Sequence, residues 1–197
     1  MSKQELGNKL NGRDLINIGI YAAIYFVIVM ALAMTGLIPI FLILLSSMIG
    51  IVGGIPFMLF LTKVKKPGMI LIMSLIMGIL MFVTGMTWMP IPFSAVTGII
   101  AELVYRNGGY KSMRSAILTT GLFPLWACGN YLPLFLQKAK YFAAKPNYGQ
   151  EYIDAVVKLT PNWMFFVLLI ATFACGVIGG FIGKALLKKH FERAGIA

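Results

Sequence analysis

The chain has 197 residues, of which 59% are hydrophobic and 12% charged, with a mean hydropathy of +0.88 and a formal charge of +11. This balance excludes an ordinary water-soluble domain and marks a membrane protein. The basic excess does not point to nucleic acid, because Lys and Arg fall in short clusters between apolar runs.

The first apolar run, 16–34, carries no charged side chain. At about 1.5 Å per residue it is long enough to cross a hydrocarbon core of about 30 Å. A polar leader precedes it without an Ala-x-Ala cleavage pattern, so the span is expected to be retained. Gly19 and Ala23, with Ala22 beside them, leave one helix face nearly flat. Such a face either docks a partner protein or packs inside the chain's own bundle, and docking is the central expectation.

The second run, 40–61, carries the close-approach pair Gly50 and Gly54, and Pro56 is expected to kink it or reset its hydrogen bonding. A basic turn at 63–68 ends it. The third run, 69–88, is rich in Met, read as adaptable packing, and stops at Trp88 before Pro90 and Pro92. The fourth, 93–105, is short for a crossing. Its Glu102 is the one carboxylate inside a predicted span; lying four residues before Arg106, it is read as half of an ion pair at the interface in preference to a proton relay.

The fifth run, 115–136, is broken by Pro124 and is the most polar. A long loop, 137–161, follows, with a short amphipathic helix expected at 150–159. The sixth run, 162–187, places Ala171, Cys175, Gly179 and Gly183 at four-residue spacing, a continuous small stripe. Cys128 and Cys175 lack metal-ligand spacing and are read as small packing residues.

The pattern predicts a single-domain, all-α integral membrane protein with six transmembrane helices. Thirteen of the 17 Lys and Arg fall on the side of the two termini, and only Lys138, Lys140, Lys145 and Lys158 lie opposite, in the long loop. Both termini are therefore expected in the cytoplasm, with the chain in the plasma membrane.

Nothing in the sequence marks an enzyme. The sole histidine, His190, sits in the basic tail, and neither a Ser-His-Asp set nor a phosphate-binding loop is present. The outer ends of the third to sixth runs carry Thr84, Thr87, Trp88, Trp126, Asn130, Tyr131, Asn162 and Trp163, candidates for a small-molecule site. Trp88 and Trp163 also fit an interfacial aromatic belt. Trp126 and Asn130 share one face of a Pro-broken helix, where an amide in lipid needs a partner. The loop residues Tyr141, Phe142, Tyr148 and Tyr152 form either a lid or a plain surface loop.

Several segments resemble a known family: the leader ending Asp14-Leu15-Ile16, the small-residue first span, Ala101-Glu102-Leu103, Gly109-Tyr110-Lys111-Ser112, and the ending Lys188-Lys189-His190-Phe191-Glu192-Arg193. Together they resemble the Trep_Strep group of substrate-binding S components of energy-coupling factor (ECF) transporters. The resemblance implies a six-helix bundle with an extracytoplasmic pocket that binds a vitamin- or cofactor-class small molecule, haem or another tetrapyrrole among the candidates. It implies partners as well: a transmembrane coupling protein and two cytoplasmic ABC ATPases, with delivery by toppling of the S component. It also assigns the contact with the coupling protein to an Ala-xxx-Ala patch, for which Gly19-xxx-Ala23 is the match here. No histidine is available to ligate haem iron, which leaves Met, Tyr or Cys. Two other classes compete: a non-transport structural or assembly protein, and a stand-alone secondary carrier, which lacks a midplane carboxylate and an internal repeat.

Overall fold

Asn11 starts the first helix with a reciprocal cap: its Oδ1 accepts the Asp14 N–H at 3.0 Å while Asp14 Oδ2 accepts the Asn11 N–H at 2.9 Å. In the computed structural model, which describes residues 10–143, 148–188 and 192, α1 runs over Gly12–Ala33 and tightens into a 3-10 turn at Met34–Leu37. Then come α2 (Pro39–Leu61), α3 (Met69–Val83), α4 (Pro90–Asn107) and α5 (Met113–Leu122). A 3-10 segment at Phe123–Asn130 leads into α6 (Leu132–Leu136), α7 (Lys138–Ala143), α8 (Gln150–Leu159) and α9 (Met164–Leu186). The described residues are otherwise turns and connections, without strand. His190 lies outside the described residues.

Among the described residues, three helical stretches are long and apolar enough to cross a membrane, Gly12–Leu37, Pro39–Leu61 and Met164–Leu186, with Met69–Val83 a shorter apolar helix. Large side chains such as Ile20, Val27, Phe166, Ile170 and Phe181 stand exposed on their outer faces. In water this would be an aggregation surface; in lipid it is the expected solvent-facing side.

Local chemistry moves several boundaries. The third run does not stay helical to Trp88. Thr84 Oγ1 donates back to the Met81 carbonyl at 2.8 Å, and Gly85 takes φ +87°, a left-handed conformation open to glycine. The fourth helix is longer than expected because Pro90 sits at its first position, where the missing N–H costs nothing. Pro56 does not end α2. Pro124 does convert the fifth helix to 3-10 geometry.

Glycines bring α2 and α9 into close contact. A Cβ on Gly50 would lie 2.9 Å from the Gly176 nitrogen, and one on Gly54 would lie 2.8 Å from Gly179 Cα. The buried stripe of α9 is Thr172, Gly176, Gly179, Gly180 and Gly183, so it is offset from the expected one, and Ala171 and Cys175 are only half-buried. Thr172 belongs to it because its Oγ1 sits 2.8 Å from Ser46 Oγ, a hydrogen bond between two buried hydroxyls.

Glu102 corrects another expectation. Instead of pairing with Arg106 among the described residues, it turns to α3, where Oε2 accepts the N–H of Ile70 at 2.9 Å and of Leu71 at 3.4 Å. Tyr110 donates its hydroxyl to Oε1 at 3.2 Å. The free amides at a helix N-terminus carry partial positive charge, which a buried carboxylate can satisfy without a cation. Burial and the Glu102 carboxylate together push the Tyr110 hydroxyl up to about 12, so it remains a donor at neutral pH.

Candidate ligand cavity

Two apolar clusters fill the bundle. One is built around Tyr25, Phe57, Phe123 and Trp126, with Phe57 and Phe123 stacked at 4.0 Å and Tyr25 edge-on to Phe123 at 5.2 Å. The other holds Ile43, Cys128, Tyr131, Leu134, Tyr141 and Phe142. Between them, where α3 has stopped at Val83 and the fifth helix has turned 3-10, lies a cavity of about 1100 Å³. That is the upper end of the size of small-molecule pockets.

Its wall is assembled at one end of the bundle, from the end of α1, the start of α2, the turn after α3, the 3-10 segment and the α7 region. The basic turn at 63–66 and the cluster at 106–114 lie at the opposite helix ends. Most of the lining is apolar, with Met30, Met34, Met81, Met86 and Met89 prominent. Lys140 is the one charged side chain among the described residues of the wall.

Trp126 is fully buried, and its indole N–H approaches the Tyr25 hydroxyl without an acceptor in hydrogen-bond geometry. Asn130 Oδ1 and Thr87 Oγ1 are buried atoms of the same wall that likewise find no partner among the described residues. The segments that carry these two residues meet. A Cβ on Gly129 would lie 2.9 Å from Pro90 Cα and 3.1 Å from the Met89 oxygen, so the 3-10 segment closes directly onto the turn that carries Thr87.

The remaining side is covered by residues after the fifth helix. Tyr131 donates to the Leu42 carbonyl at 2.9 Å, and Tyr152 on α8 donates to the Gly36 carbonyl, so one segment is tied to the first turn of α2 and the other to the α1–α2 connection. Tyr148 stacks on Tyr152 with ring centres 4.5 Å apart, and Tyr141 and Tyr148 line the cavity. Burial holds the Tyr141 phenol up at about 12, so it stays a neutral group at physiological pH.

Of the residues singled out from the sequence, Thr87, Trp88, Trp126, Asn130 and Tyr131 meet at this wall. Thr84, Asn162 and Trp163 do not belong to it: Thr84 turns its hydroxyl to Met81, while Asn162 and Trp163 face outward where α9 begins. Sequence reasoning missed Lys140 and the contributions of α1 and α2, including Val29, Met30, Leu42, Leu45 and Ile49. Only the run of methionines offered a hint, since Met suits adaptable binding walls as well as cores.

On α1 the small patch divides. Gly19 and Ala23 are exposed, and a Cβ on Gly19 would meet nothing within 4 Å. Ala22 is buried, so it packs the chain's own core and is not part of the open face. Exposed Ile16, Ile20 and Ile24 flank the open pair.

A family model described as a hypothetical bacterial integral membrane protein (Trep_Strep) matches residues 12–193. No curated protein and no solved structure matches the chain.

Proposed function

The chain belongs to the Trep_Strep family of bacterial integral membrane proteins, and from that premise we propose that it is the substrate-binding S subunit of an ECF-type importer. It captures a vitamin- or cofactor-class small molecule outside the cell and delivers it by toppling, powered by a transmembrane coupling protein and two cytoplasmic ATPases. The chain itself performs no catalysis in this reading.

The observation that carries the reading is the separation of two surfaces. A large, mostly apolar cavity occupies one end of the bundle, while the open Gly19 and Ala23 face lies on the side of α1, away from the cavity lining. Capture and docking are thus available on different parts of one single-domain molecule. The charge bias supports six crossings with both termini in the cytoplasm of a plasma-membrane protein, which turns the cavity end outward. The shorter α3, of 15 residues, suits a helix that stops at the cavity instead of running to the membrane surface. Methionines on the wall offer soft thioether contacts to a tetrapyrrole or haem cargo.

The test is purification from native membranes under conditions that preserve ATPase complexes. Recovery with a coupling protein and two ABC ATPases is expected; recovery of the chain alone from membranes in which those complexes survive overturns the reading.

A further inference from the structure

The chemistry of the cavity wall narrows its ligand, given the capture reading above. We infer that the site takes an amphipathic, largely aromatic acid: a flat apolar body that brings a neutral N–H or O–H donor to Asn130 and Thr87 and a carboxylate to Lys140.

Three features of the wall lead there. First, the Asn130 amide oxygen is a pure acceptor, buried and unmatched among the described residues, and Thr87 Oγ1 of the same wall, which can accept as well as donate, is buried and unmatched among them too. A buried acceptor left without a partner loses its hydration for nothing, so a ligand that supplies a donor is selected over one that cannot. Second, the wall includes no Asp or Glu among its described residues, while Lys140 stands exposed on α7 at the rim. A cationic ligand would shed water with no counter-charge, whereas an acid finds one where solvent still screens the cost of burial. Third, Trp88, Trp126, Tyr131, Tyr141 and Tyr148 belong to the same cavity wall, which favours a flat aromatic body over a sugar or a peptide.

Specificity therefore has two independent determinants at two places. Asn130 and Thr87 read a neutral donor, and Lys140 reads an anion.

Four synthetic probes separate them: a carbazole bearing a butyrate chain on one ring carbon, its N-methyl analogue, its primary amide, and the corresponding butylamine. Binding is measured by equilibrium dialysis against the full chain in lipid nanodiscs, with empty discs subtracted. The butyrate is expected to bind best; N-methylation and amidation each weaken it on the order of tenfold, and the amine binds weakest. Asn130→Leu removes the preference for N–H over N-methyl and leaves the preference for acid over amide. Lys140→Gln does the reverse. Thr87→Val, in a turn outside any helix, is expected to reduce the N–H preference as well and provides that reading should Asn130→Leu fail to fold.

The proposal is overturned if the amine matches the acid, if N-methylation costs nothing in the unmodified chain, if the preferences survive their variants, or if none of the four binds beyond empty discs. Association with ATPases is read by co-purification without any probe, so loss of this ligand class and loss of the transport reading remain separate results.

Discussion

Glu102 on α4 accepts the backbone N–H of Ile70, in the first turn of α3, at 2.9 Å. A side chain on one helix thus caps the neighbouring helix, and Tyr110 closes the arrangement from the following turn. Glu102→Ala leaves two amides and a hydroxyl without this acceptor at a buried position, which costs about 1–3 kcal/mol. The thermal unfolding midpoint in detergent should fall accordingly. Glu102→Gln keeps one acceptor oxygen and should recover part of the loss, while an unchanged midpoint for the alanine variant would show that the cap carries no stability.

The glycines separate into those at close helix contacts and those, Gly19 among them, that face open space. Gly54→Ala places a methyl group 2.8 Å from Gly179 Cα, against backbone that cannot yield cheaply. Overpacking of this kind costs about 1–3 kcal/mol, whereas Gly19→Ala meets nothing and should stay within about 0.5 kcal/mol. Comparing the two midpoints checks the α2–α9 contact directly. Equal stability of both variants would contradict it.

A larger group at the same open position tests docking. Gly19→Leu is expected to leave folding and probe binding unchanged yet reduce cellular uptake about tenfold or more, the effect of losing about 1.4 kcal/mol of helix association. Ala22→Leu should behave differently and destabilise the isolated chain, because Ala22 faces the core. Parallel loss of binding and uptake in Gly19→Leu would remove the docking role.

The cover over the cavity hangs on hydrogen bonds from Tyr131 to the first turn of α2 and from Tyr152 to the α1–α2 connection. Tyr152→Phe removes one of them, worth about 1 kcal/mol, so dissociation of the carbazole butyrate should quicken about fivefold. Trp163→Phe, at an exposed position off the wall, should leave that rate unchanged. Stopped-flow fluorescence distinguishes the two, and an unaltered rate in Tyr152→Phe would mean that the segment does not retain ligand.

Much of this architecture is written locally. Apolar runs and their breakers predicted the helices at 16–34, 40–61 and 162–187 closely, because hydrophobic length and Pro or Gly interruptions act on neighbouring residues alone. The basic clusters fall at one set of helix ends for the same reason. The aromatic and amide groups near Pro124 were visible as a candidate site, although Trp126 turns out to be a core residue as much as a wall residue.

Rotation and partner choice were decided elsewhere. Ala22 and Ala23 look interchangeable in the sequence, but a helix turns about 100° per residue, so these adjacent positions face different surroundings, Ala22 the core and Ala23 the open side. The offset of the α9 stripe follows from Ser46 meeting Thr172 across 126 residues, and Glu102 chose the amides of α3 over Arg106 on its own helix. A cavity is likewise a property of where helices stop relative to one another. Composition and hydrophobic runs determined that this chain forms membrane helices; only the close approach of those helices decided which faces meet, which polar atoms remain unmatched, and where a ligand has room.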